Sequence, residues 1–182
     1  MIVDESGNFI GQHEFPHMAL ICPISVNTKD GVVEMHSPNC AENIKLKMST
    51  KDSVMHVALF GENVDAQRVG SHEDAWFSKA LGAPCHLVAY LDVRSAIPDT
   101  FKGSVSFSSE SQFLCLVNTS FEYLKEMILK ERGKIIHIES FRGNLTIEGM
   151  DIDPFAEQEW IGKSLTIGDQ TFHVSNVSFL ID

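Results

Sequence analysis

No apolar run in this 182-residue chain is long enough to cross a bilayer as a helix, and no signal or transit peptide opens it. Basic residues are scarce: 14 Lys and Arg stand against 25 Asp and Glu, a formal net charge of −11. No basic run offsets that balance. This argues against nucleic acid as a partner, because binding there is driven by neutralising phosphates, and against an anionic membrane surface. A redox partner with a basic face would be steered favourably. Cysteine is sparse. Cys22, Cys40, Cys85 and Cys115 form no CxxC pair and fit no zinc spacing. Free thiols point to an intracellular, reducing compartment, with cytoplasm and mitochondrion not distinguished. Cys22, Cys85 and Cys115 lie in apolar runs and are expected to be buried, whereas Cys40, in the polar turn SPNCAEN, is expected to be exposed. A P-loop and the motifs GxGxxG, GxSxG and HExxH are all missing, which removes the common nucleotide and nucleophile signatures.

What is present is an ordinary globular composition, 43% hydrophobic and 21% charged. Short apolar runs recur between Gly, Asn, Asp and Ser, as in a barrel or sandwich. Met1–Val3 and Phe9–Ile10 flank an SGN hairpin turn. Further strands are expected at His17–Ile21, Gly31–Met35, Asn43–Met48 and Val54–Phe60, then at Lys134–Ile138, Leu145–Glu148, Ser164–Ile167, Thr171–Val174 and Ser178–Ile181. Ser71–Leu81 reads as a helix with Ser71 as N-cap, Asp74 completing a capping box and Gly82 closing it. Ser120–Glu131 reads as a second helix, with Phe121, Leu124, Met127 and Ile128 on its apolar face. Asp92–Gly103 reads as an exposed loop. The fold class is therefore α+β, mainly β.

The segment from Phe141 to Asp169, FRGNLTIEGMDIDPFAEQEWIGKSLTIGD, concentrates the chemistry. Arg142 and Asn144 stand two residues apart at the mouth of a strand. A guanidinium forks onto a planar anion, and a carboxamide offers both a donor and an acceptor, a pair suited to a phosphorylated heterocycle. Glu157 could hold a loop by accepting backbone hydrogen bonds, and Trp160 reads as a core or rim anchor. His13 and His17 have a helical metal spacing in a strand-and-turn context, so their rings need not share a face.

This segment resembles the MOSC domain, named for the C-terminal domain of molybdenum-cofactor sulfurases, and most of all its stand-alone amidoxime-reducing members, in which an FRPN segment precedes an AED-x-W block and IGD. Here Gly143 replaces the proline and Gln158 the aspartate. The likeness extends to MIVDESGNFIGQHEFPHMALICP at the start, to GSHEDAWFSKALGAPCHLVAY from Gly70 and to FSSESQFLCLVNTSFEYL from Phe107. It implies a MOSC-type β-barrel with two or more packed helices. Residues 1–69 would form an N-terminal β-barrel-like segment without its first strand, and residues 70–182 a MOSC domain without its C-terminal part. It implies a pterin-based molybdenum cofactor held by Arg142 and Asn144, with Ser109 and Ser111 contributing from a second loop. It also implies reduction of N-hydroxylated compounds with electrons from a cytochrome or flavin partner. Where the family places the metal-binding cysteine this chain has Ser178, Phe179, Leu180 and Ile181, so weak or absent cofactor binding and no reductase activity are expected of this polypeptide. The alternatives are a non-catalytic or degenerate binding module, or a sulfur carrier acting through Cys40.

Overall fold

The computed structural model describes residues 1–47, 53–91, 94–95, 104–105, 107–108, 111–149 and 151–176. Two compact units divide the chain, Met1–Ser95 and Ala96–Asp182. The boundary drawn from sequence at residues 69 and 70 falls inside the first of them.

In the first unit, β1 (Ile2–Val3), β5 (Val54–Leu59), β6 (Glu62–Arg68) and β7 (His86–Tyr90) form an antiparallel sheet in the order β1-β7-β6-β5. A second antiparallel sheet holds β2 (Cys22–Asn27), β3 (Val32–His36) and β4 (Ile44–Lys47). The turn after β1 is built by Asp4, whose carboxylate accepts the N–H groups of Ser6 and Asn8. Gly7 sits in that turn at φ +86°, where a Cβ would lie 2.6 Å from the His56 carbonyl oxygen, so the backbone approach requires glycine.

Helix α1 (Ser71–Leu81) buries Phe77 and Leu81 beside Ile10 and Cys85, with Ile2, Met18, Ile21 and Leu87 packed around them. Burying a side chain such as Phe77 contributes about 1.5–3 kcal/mol. Gly82 ends the helix in the left-handed region as expected. The start differs. Gly70 is the N-cap and Ser71 makes no capping bond. Asp74 is instead buried, accepting hydrogen bonds from Arg68 Nε and the Leu87 N–H and pairing with His86 Nδ1. A carboxylate held by three partners is better satisfied there than at a helix end.

In the second unit, β10 (Cys115–Val117) runs directly into α2 (Asn118–Arg132), and β11 (Leu145–Ile147) returns parallel to β10. β12 (Ser164–Ile167) and β13 (Gln170–His173) form a hairpin. The two-residue strands β8 (Arg94–Ser95) and β9 (Ser104–Val105) complete the described strands. The fold is α+β and mainly β. Among the described residues, however, the strands form separate sheets and do not close into a barrel.

Two expected strands are absent. Residues 16–20 form a 3-10 turn led by Pro16, whose fixed φ and missing N–H suit a turn start and not a ladder. Lys134–Ile138 has the alternation of a strand but no pairing partner among the described residues, and Ile135 is 69% exposed. Most of the expected 92–103 loop and all of the expected 178–181 strand lie outside the described residues.

Candidate functional site

Parallel pairing fixes where the candidate residues meet. Cys115 lies opposite Leu145, so β10 and β11 begin at the same end of their small sheet. Residues immediately before each strand are therefore brought together: Ser111–Leu114 on one side, Arg142–Asn144 on the other.

Arg142 stands at the close of a 3-10 turn over Ile138–Phe141. Its N–H bonds the Glu139 carbonyl at 3.0 Å, and its backbone is left-handed, φ 56° and ψ 35°. That conformation costs a non-glycine residue roughly 1–2 kcal/mol, and it points to a turn fixed by its surroundings. One such contact is Phe141, which packs edge-on against Phe121 of α2 at 5.7 Å. The Arg142 side chain is exposed, and its guanidinium has no partner among the described residues.

Gly143 is in close contact. A Cβ there would lie 2.6 Å from Cγ and Cδ1 of Leu116 on β10.

Asn144 is half committed. Its N–H donates to the Leu114 carbonyl at 2.8 Å, and its Oδ1 accepts the Leu114 N–H at 2.8 Å. The carboxamide oxygen that sequence offers as a ligand acceptor is thus used to clamp the two segments together. The Nδ2 group is left to donate.

Ser111 is half-buried, with its hydroxyl 2.7 Å from that of Ser175 and 3.4 Å from Asn176 Oδ1. Phe113 seats the same loop edge-on against Phe172 of β13 at 5.5 Å. Ser109 lies outside the described residues. Sequence reasoning missed Leu114, Ser175 and Asn176, for none carries a motif and each enters through pairing distant in sequence.

The far end of β10 is structural. Ser120, in the first turn of α2, donates to Glu157 at 2.8 Å and accepts the Phe155 N–H at 2.9 Å. Glu157 therefore accepts from a hydroxyl, where backbone donors were expected. Trp160 is half-buried. Burial first, and the Glu157 carboxylate second, push the Cys115 thiol above its ordinary value.

The cysteine expectations are corrected at three positions, one of them Cys115, which is half-buried where burial was expected. Cys40 is buried, not exposed: it is 8% accessible, and its thiol faces the Trp76 carbonyl at 3.6 Å, because the SPNCAEN turn tucks under α1. This removes it as a surface sulfur carrier. Cys22 is exposed, because β2 is an edge strand with every residue exposed. Cys85 is buried as expected. Among the described residues no group of three His, Cys, Asp or Glu side chains is arranged to hold a metal ion, and no helix is long and apolar enough to cross a membrane.

Comparison with known proteins adds a family frame. The MOSC N-terminal beta barrel domain matches residues 1–84 and the MOSC domain matches residues 102–177. The molybdenum cofactor sulfurase of Danio rerio is 28% identical over 96% of this chain and 22% of its own length. That of Oryza sativa subsp. japonica is 24% identical over 94% of the chain and 22% of its length. The Homo sapiens molybdenum cofactor sulfurase is 23% identical over 96% of the chain and 21% of its length. The chain thus spans about a fifth of the length of these curated relatives. A Bordetella bronchiseptica protein known from its solution structure aligns with a TM-score of 0.41 at 17% identity, over 48% of this chain and 68% of its own.

Proposed function

We propose, given that the chain belongs to the MOSC family, that it binds the pterin phosphate of the molybdenum cofactor where β10 and β11 begin, and acts as a cofactor-binding module without reductase turnover of its own. The observation that supports this is the parallel pairing that sets the Arg142 guanidinium, unpartnered among the described residues, and the Asn144 Nδ2 donor beside the Ser111 loop. Donors of this kind fit a phosphate, which offers only acceptors when ionised and is well matched by a forked guanidinium. The left-handed turn fixes the Arg142 backbone at the strand entrance before a ligand arrives, while its exposed side chain is ordered on binding.

The metal end of such a cofactor fits less well. A thiolate ligand must be deprotonated and accessible. Cys115 is the sole cysteine of the second unit, and its thiol is shifted toward the protonated form. Positions 178–181 carry Ser, Phe, Leu and Ile. A bound cofactor would supply two-electron chemistry at molybdenum; these residues supply phosphate recognition. Reduction of N-hydroxylated compounds, with a cytochrome or flavin donor, is accordingly not the activity we assign to residues 1–182.

Titration of the protein with a phosphorylated pterin, comparing the parent with Arg142→Ala, tests the reading. Loss of a charge-assisted contact of about 1.5–3 kcal/mol weakens binding by roughly tenfold or more. Equal affinity in the two proteins would remove Arg142 from the site.

A further inference from the structure

Ser175 and Asn176 carry no motif, yet they settle what the Ser111 hydroxyl can do. The Ser111 and Ser175 oxygens are 2.7 Å apart, the optimum for an O–H···O bond. Ser175 Oγ is 3.2 Å from Asn176 Oδ1, and Ser111 Oγ is 3.4 Å from the same atom. An amide oxygen only accepts, so whichever hydroxyl bonds to it does so by donating its proton. Ser175 is the nearer. Either Ser175 donates to Asn176 and Ser111 to Ser175, or Ser111 donates to Asn176 and Ser175 to Ser111; in both the Ser111 proton is spent within the cluster. Ser111 Oγ is left with lone pairs only.

We infer that Ser175 and Asn176 act as positioning residues that turn Ser111 into a hydrogen-bond acceptor, so that the ligand group facing Ser111 is an N–H or O–H donor. This rests on the cofactor-binding reading above and adds a direction to it. The site acquires two chemically opposite ends. Arg142 and Asn144 Nδ2 only donate and meet an anion, whereas Ser111 only accepts and meets the protonated edge of a heterocycle. Three residues of chain separate Ser111 from Leu114, at most about 10 Å when extended. Leu114 is in turn hydrogen-bonded to Asn144. The two ends therefore lie close enough to be bridged by one heterocycle with a phosphate arm, and a ligand reversed in the site would place acceptor against acceptor. Sites built to pair a buried hydrogen-bonding group reject analogues that lack its partner.

The test uses the full chain and three probes: pterin, an N-methylated pterin with its ring and amino donors blocked, and inorganic phosphate. The parent is expected to prefer pterin over the methylated probe by about tenfold. Ser111→Ala removes the acceptor and should reduce that preference to about threefold or less. The double variant Ser175→Ala/Asn176→Ala removes both acceptors of the Ser111 proton, frees it to point at the ligand and should reduce the preference to the same level, with phosphate affinity unchanged. Each single variant leaves the Ser111 proton one acceptor, Asn176 Oδ1 in Ser175→Ala and Ser175 Oγ in Asn176→Ala, and should keep most of the preference. Arg142→Ala should do the reverse, losing phosphate affinity and keeping the preference. A preference equally strong in the double variant Ser175→Ala/Asn176→Ala, or absent from the parent, overturns the inference while phosphate binding leaves the cofactor-binding reading standing. Failure of both pterin and phosphate to bind the parent overturns the two together.

Discussion

Asn144 separates two roles that sequence alone merges. Its oxygen and its backbone N–H hold Leu114, while its Nδ2 faces outward from that clamp. Asn144→Asp keeps an oxygen for the Leu114 N–H and replaces the donor with negative charge. Asn144→Ala removes both. In urea unfolding we expect Asn144→Ala to lose about 1–3 kcal/mol, the penalty of an unpaired N–H, and Asn144→Asp to lose clearly less. Phosphate binding should weaken in both, and more in Asn144→Asp, whose carboxylate repels the anion. A stable Asn144→Ala protein would show that Leu114 does not depend on the clamp. The thiols make a second residue-scale contrast. Cys22 is exposed and Cys40 buried under α1, so a thiol reagent added to the native protein should label Cys22 first and Cys40 only on unfolding. Labelling of Cys40 at the rate of Cys22 would contradict this placement.

At the scale of elements, the β10–α2–β11 unit was legible in part: the helix and the strand at Leu145 follow from periodicity, whereas β10 was not among the expected strands. The parallel pairing was not, because it joins strands separated by the whole of α2. β6 escaped notice because ENVDAQR is mostly polar; its buried contact is the small Ala66. The strand expected at His17–Ile21 failed at Pro16, and the one at Lys134–Ile138 failed for want of a neighbour. Cys40 was misplaced for a similar reason: a polar turn reads as surface unless the helix above it is known. Gly143 tests the closeness of the two segments directly. A methyl there meets Leu116, and overpacking of this kind costs about 1–3 kcal/mol. Gly143→Ala should lower the unfolding midpoint, and shortening the neighbour with Leu116→Ala should recover part of the loss. An additive double variant would mean that the two do not touch.

For the whole molecule, the central claim is that a MOSC chain with this turn retains the cofactor's pterin end and performs no reduction. The acidic balance of −11 does not oppose this, because the anion is met locally by a guanidinium with no competing carboxylate partner among the described residues. Positions 178–181 carry Ser, Phe, Leu and Ile, and on the proposed reading pterin and metal need not be retained together. The most direct measurement is the pterin and molybdenum content per chain of protein purified from a cofactor-producing host, for the parent and for Arg142→Ala. We expect pterin in the parent, much less in Arg142→Ala, and no turnover of an amidoxime. A parent free of pterin, or one that reduces the amidoxime at a rate proportional to its molybdenum, would contradict the account.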